Sequence, residues 1–175
     1  MKILLIRHGQ TTGDLEDRYG GWYDDSLTTE GVQQLQATAQ KLFGKKIDKI
    51  FTSSLKRAQE STEILNSVVQ TQIEVVDGLR ERNYGVLGGL TKQEALEKYP
   101  EVVELHKNPD NTDPDGESRA DFTTRVVNTF DSIVNQKLNQ VILVGHGGSI
   151  KVILKHLNLS LPPSIGDGEI IEVEF

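Results

Sequence analysis

Met1-Lys2-Ile3-Leu4-Leu5-Ile6-Arg7-His8-Gly9-Gln10-Thr11 is an apolar run that ends in a fixed cation, an imidazole and a glycine. The unbroken apolar stretch from Ile3 to Ile6 is the pattern of a strand buried on both faces, as in a parallel sheet covered by helices. Ligands bind at the carboxyl ends of such strands, where the loops open into a crevice. Arg7 can clamp two anionic oxygens in a fork, and His8 can attack or donate a proton. Gly9 allows a close backbone approach or a positive φ. A strand followed by an ordinary polar turn accounts for this stretch when it is taken alone. Gln140-Val141-Ile142-Leu143-Val144-Gly145-His146-Gly147-Gly148-Ser149 shifts the balance, because it repeats the plan. Two buried strands, each ending in a histidine, can place both imidazoles in one crevice.

The paired Arg7-His8-Gly9 and Gly145-His146-Gly147 motifs resemble those of the histidine phosphatase superfamily, which includes the cofactor-dependent phosphoglycerate mutases. The resemblance runs over nearly the whole chain. It implies a single-domain, three-layer α/β/α fold over residues 1–175, with a mainly parallel central sheet and a small helical lid at about 87–117.

The totals agree with one domain. The chain has 175 residues, a net charge of −7 and no cysteine. That length can bury a substantial core. Lack of cysteine excludes disulfides and thiolate chemistry, and it fits a cytoplasmic protein. The negative charge argues against a nucleic-acid surface, so cations serving an anionic substrate must be concentrated locally. No apolar stretch is long enough for a membrane span or a signal-peptide core.

In chain order, 12–27 reads as a Gly- and Asp-rich loop anchored by the packing of Trp22 and Tyr23. The spacing of Val32, Leu35, Ala39 and Leu42 predicts a helix over 28–43 capped by Thr28. Strands follow at 49–52 and 73–76, with a helix between them starting at Ser53. Thr91 and Glu94 form a capping box for a helix that Pro100 ends. Residues 108–116 read as a loop, and Ser118 caps a helix carrying Phe122, Val126, Phe130 and Ile133. A short helix follows the second histidine, with His156 on its exposed side and His106 unassigned. Residues 169–175 alternate like an antiparallel edge strand.

The resemblance implies His8 as nucleophile, Arg7, Arg57 and His146 as binders of the transferring phosphoryl group, and Glu81 as general acid and base. Taken alone, Arg57 reads as a surface cation and Glu81, between two arginines, as a surface ion pair. Gly9, Thr11, Gly21 and Gly147 fall where phosphate-binding backbone is expected. Glu81-Arg82, Tyr84-Gly85, Gly89-Leu90-Thr91-Lys92 and Glu97-Lys98-Tyr99 resemble the mutases, which would give Arg82, Tyr84 and Lys92 contacts to a phosphoglycerate-like substrate. One departure stands out: Asp14 occupies a position where the family usually has asparagine, and a carboxylate there repels phosphate unless it is turned away or paired. No metal is implied, because a hard cation would need gathered carboxylates and would be repelled by the arginines.

Beyond Tyr99 the mutase resemblance weakens. The expected arginine pair is replaced by His106-Lys107, and Pro114-Asp115-Gly116-Glu117-Ser118 looks like the short-insert phosphatases. The expectation is therefore a phosphatase forming a phosphohistidine on a small phosphorylated metabolite, without a cofactor. The alternative is a phosphoglycerate mutase primed by 2,3-bisphosphoglycerate. A non-catalytic phosphate- or phosphoprotein-binding module comes third, because both His8 and Glu81 are retained. The sequence leaves a homodimer open.

Overall fold

The computed structural model describes residues 1–174. Its centre is β1 (Lys2–Arg7), and the unbroken apolar run has a direct physical cause. Ile3 and Leu5 join one core cluster, and Leu4 and Ile6 join another on the opposite face. Because β1 is walled on both sides, polar alternation would bury unpaired polar groups.

The sheet order is β3-β2-β4-β1-β5. Strands β2 (Lys49–Thr52), β3 (Gln72–Val75) and β4 (Gln140–Gly145) are parallel to β1, and β5 (Ile170–Glu174) pairs with it antiparallel. The expected edge strand is thus present, with Phe175 outside the described residues. One face is covered by α2 (Thr29–Lys41) and α3 (Lys56–Val69), through Leu35, Ala39, Ala58 and Leu65. The other is covered by α6 (Arg119–Val134) and α7 (Gly147–His156), through Phe122, Val126, Ile150 and Ile153. This is a single-domain, three-layer α/β/α architecture.

Three local readings are corrected. Residues after Thr11 are not all loop, since α1 (Thr12–Leu15) forms one helical turn. Thr11 accepts the Asp14 N–H at 3.1 Å while the Asp14 carboxylate accepts the Thr11 N–H at 2.8 Å, a reciprocal cap. Pro100 does not end the helical segment. It ends α4 (Lys92–Lys98) but starts α5 (Pro100–His106), at the first helical position, where a missing N–H costs nothing. Ser53 precedes its helix by three residues, and Asp24 of the preceding loop accepts the Lys56 N–H at 2.7 Å in place of a local cap. A small separate core under α4 and α5 contains Tyr19, Leu87 and Ala95.

The turn after β1 is clamped against α2. A Cβ on Gly9 would overlap the Leu35 side chain, and one on Gly31 would overlap the Gln10 carbonyl oxygen. Helix propensity alone favours Gly31→Ala by about 1 kcal/mol. The packing predicts the reverse sign, a loss of about 1–3 kcal/mol, read from the urea midpoint. A raised midpoint would show that this contact is slack.

Candidate active site

The pairing of β1 with β4 sets Arg7 opposite Gly145, and the His8 N–H donates to the Gly145 carbonyl at 3.1 Å. His8 and His146 therefore leave adjacent strands together, with ring centroids 5.1 Å apart. Both imidazoles are buried.

Hydrogen bonds assign the tautomer of His8. Its Nδ1–H donates to the Gly9 carbonyl at 2.8 Å, which leaves the lone pair on Nε2. That lone pair accepts the Nε–H of Arg57 at 3.2 Å. At His146, Nε2 lies 2.8 Å from the Ser53 hydroxyl, which itself accepts the Leu55 N–H at 3.3 Å. A hydroxyl both donates and accepts, so either His146 tautomer satisfies this contact. Burial, reinforced by Arg57, pushes the pKa of His8 down to about 3. Burial and the same arginine hold His146 well below the usual histidine range.

Arg57 comes from the first turn of α3 and is buried with Asp25, 2.9 Å away. Its other donors go to the carbonyls of Tyr23 at 2.7 Å and Gly21 at 2.8 Å, so the Gly-rich loop is wrapped around the guanidinium. Arg7 donates to the Ile165 carbonyl at 2.6 Å and lies 3.1 Å from Asp167, yet its buried Nε–H has no partner among the described residues. Burial raises the Asp167 carboxyl despite the opposing effect of Arg7.

Glu81 rests on the start of α7. Its carboxylate accepts the Gly148 N–H at 2.8 Å and the Arg82 N–H at 2.9 Å. A Cβ on Gly148 would displace that carboxylate, so glycine here lets Glu81 rest directly on the helix start. Trp22 and Tyr23 are partly exposed rather than packed, and the Trp22 indole N–H donates to the Glu81 carbonyl at 2.7 Å.

A cleft of about 400 Å³ brings together Arg7, His8, Thr11, Gly21, Arg57 and Glu81. Tyr84 and Gly147 also line it, and burial beside Glu81 pushes the Tyr84 phenol up. Gly9 lies behind the wall, its N–H donating to Ser61 at 3.2 Å. Two expected residues are off this cleft wall. Arg82 donates its guanidinium to the carbonyls of Pro109, Asn111 and Glu117 and lines the adjoining cavity. Lys92 stands over the Tyr19 ring at 3.1 Å and is not on the cleft wall. Asp14 lines the cleft, but one of its oxygens is occupied by the Thr11 N–H and hydroxyl. Sequence reasoning missed Asp25, Ser53, Asp167, Arg18 and Lys151. Only Ser53 carried a signal, its place at the carboxyl end of β2.

A profile of the histidine phosphatase superfamily, branch 1, matches residues 3–168. The chain belongs to the histidine phosphatase superfamily. Among curated relatives, the 2,3-bisphosphoglycerate-dependent phosphoglycerate mutase 2 of Gloeobacter violaceus is 32% identical over 99% of this chain and 81% of its own length. The corresponding mutase of Mesorhizobium japonicum is 34% identical over 89% of this chain and 81% of its own. Among solved structures, Bacillus stearothermophilus YhfR superposes with a TM-score of 0.88 at 26% identity, covering 99% of this chain and 90% of the other. The alpha-ribazole phosphatase of Shigella flexneri gives a TM-score of 0.88 at 21% identity over the same shares, a likeness of fold. Membership of the histidine phosphatase superfamily brings no metal cofactor with it. Among the described residues no cluster of His, Cys, Asp and Glu is arranged to hold one, and no helix is long and apolar enough to cross a membrane.

The site makes a pH prediction. The unfolded chain protonates its histidines below pH about 6.5, while His8 in the folded chain stays neutral to about pH 3. The unfolded state therefore binds more protons in that window, and stability falls as pH falls through it. From pH 7 to 5 this group alone costs about 2 kcal/mol, and His146 acts in the same direction. His8→Asn is expected to flatten the acid loss in urea melts by about that amount. An equal loss in the variant would mean that His8 protonates freely in the fold.

Proposed function

We propose that this protein is a phosphomonoester hydrolase acting through a phosphohistidine on a small phosphorylated metabolite. The observation that carries the reading is the His8 Nε2 lone pair, held at 3.2 Å by the Arg57 Nε–H in a cleft that Glu81 also lines.

The chemistry follows from the donors. An arriving phosphoryl group competes for the Arg57 Nε–H, and losing that hydrogen bond frees the His8 lone pair for in-line attack. Arg7, whose buried Nε–H has no partner among the described residues, supplies a further donor to the equatorial oxygens, and His146, its ring centroid 5.1 Å from that of His8, supplies another through its ring N–H. Each such fixed donor is worth about 3 kcal/mol in comparable oxyanion sites. Glu81 gives its proton to the departing alkoxide as the bridging P–O bond breaks and the N–P bond forms. In the second step water attacks phosphorus, Glu81 takes the water's proton, the N–P bond breaks and inorganic phosphate leaves. Thr11, Gly21 and Gly147 frame the phosphoryl group, and Gly9 fixes the turn that carries His8. The helical insert at 87–117 serves as the lid.

A mutase must keep a bisphosphate through the phosphoenzyme stage, which needs cations beside the cleft for the second anionic end. Arg18 and Lys151 do line the cleft, so hydrolysis is favoured by the short insert at 108–116, which admits water, and not by a lack of cations. The curated relatives' name is the observation that favours the mutase, with 2,3-bisphosphoglycerate as its primer. The test incubates the protein with 3-phosphoglycerate, with and without catalytic 2,3-bisphosphoglycerate, and assays phosphate and 2-phosphoglycerate together. Phosphate release without isomerisation is expected, and primer-dependent isomerisation with little phosphate would establish the mutase.

Two variants test the roles. His8→Ala is expected to lower turnover of p-nitrophenyl phosphate at least about 10³-fold, and full activity would sink the mechanism. Glu81→Gln is expected to cost about 10²-fold on an alkyl ester. It should cost much less on p-nitrophenyl phosphate, whose phenolate leaves without a proton. Equal losses on both esters would remove Glu81 from the acid role.

A further inference from the structure

A second cavity adjoins the nucleophile's cleft and is larger, about 540 Å³. The two share Glu81, Tyr84, Gly148 and Lys151 on their walls, so Glu81 stands at the boundary. Beyond that boundary the lining changes character. Phe122 and Val127 of α6, Val152 of α7 and Leu161 supply apolar surface. Arg119, Lys151 and Lys155 supply cations, and Glu81 is the only carboxylate on the wall. Lys155 has no ion-pair partner among the described residues, and the Arg119 contact to Asp110 is long, at 3.6 Å.

A bound phosphomonoester has to straddle Glu81. Its phosphorus lies against His8 and its bridging oxygen against the acid, so the carbon skeleton continues into the next open space. Gly148, Val152 and Lys155 follow one another along a single face of α7. At 1.5 Å per residue, Lys155 lies about 10 Å along the axis from Gly148, whose N–H holds the Glu81 carboxylate. A three-carbon acid would meet only Lys151, one turn from Gly148, and would leave the apolar wall and the Lys155 end of the cavity to water. Cavities of this volume suit ligands with a ring-sized body, and apolar walls favour burying one.

We infer that this cavity is the alcohol subsite, and that the substrate is the phosphomonoester of a bulky, ring-bearing alcohol with a second anionic group at the end of the cavity away from Glu81. Lys155 and Arg119 would receive that group. The inference rests on the phosphatase reading above.

Its test is binding to the His8→Ala protein, which removes turnover from the measurement. Calorimetry compares inorganic phosphate, 3-phosphoglycerate, 2-naphthyl phosphate and 6-carboxy-2-naphthyl phosphate. The naphthyl ester is expected to bind about tenfold tighter than 3-phosphoglycerate, and the carboxylate to tighten it further. Thr123 and Lys155 are exposed helix positions, where substitution leaves the core untouched. Adding Thr123→Trp, which fills the chamber, should raise the ratio of the naphthyl ester's Kd to that of inorganic phosphate about tenfold. Adding Lys155→Glu should abolish the gain from the carboxylate. Equal or tighter binding of 3-phosphoglycerate, or an unmoved ratio in Thr123→Trp, would overturn the subsite. Phosphate release by the unsubstituted protein tests the other reading. Release without naphthyl preference sinks the subsite alone, preference without release sinks the hydrolase alone, and no binding of any ester sinks both.

Discussion

Parallel pairing of β1 with β4, in a register that sets Arg7 against Gly145, is the constraint on which the site depends. It delivers His8 and His146 from neighbouring strand ends and holds their rings 5.1 Å apart. Ladder hydrogen bonds and two apolar clusters lock this register, because a one-residue slip would turn every buried side chain of β1 to the wrong face. A rigid sheet thereby spends its packing energy on the placement of two imidazoles.

Around them the electrostatics are set by burial. Two imidazoles beside two guanidiniums stay neutral because neither burial nor neighbouring cations favour a further positive charge. Neutrality is what a nitrogen nucleophile requires. The guanidiniums in turn are held by carboxylates, Arg57 by Asp25 and Arg7 by Asp167, so the site is nearly balanced before any anion arrives. A buried pair of this kind is a weak source of stability, and its value here lies in aiming Arg57 at His8. In the proposed reaction an incoming phosphate would exchange with ligands the protein already supplies, which is compatible with a chain of net charge −7.

The same balance bears on Asp14. A carboxylate facing phosphate would oppose binding, but here one oxygen closes the cap of α1 through Thr11. The position is part of the scaffold that presents the loop.

Much of this was legible from short patterns. The apolar run of β1, the glycines after each histidine, the Thr91–Glu94 box and the inward face of α6 follow from local periodicity and capping chemistry, which depend only on neighbours in sequence. The one-turn helix at Thr12 was missed because a Gly- and Asp-rich stretch reads as loop and a single turn is too short to show periodicity, and the restart at Pro100 because proline stops one helix as readily as it begins another. Asp25, Asp167 and Ser53 were invisible as partners, since nothing local ties them to Arg57, Arg7 and His146. By itself the sequence determined the strand-to-histidine plan, the two-sided burial of the sheet and the family, because those rest on residue type and spacing. The Arg57 contact to His8, the occupied hydrogen bonds of Arg82, the guarding of each guanidinium and the second chamber beside Glu81 were decided only by the tertiary structure, because each depends on contacts between residues far apart in the chain.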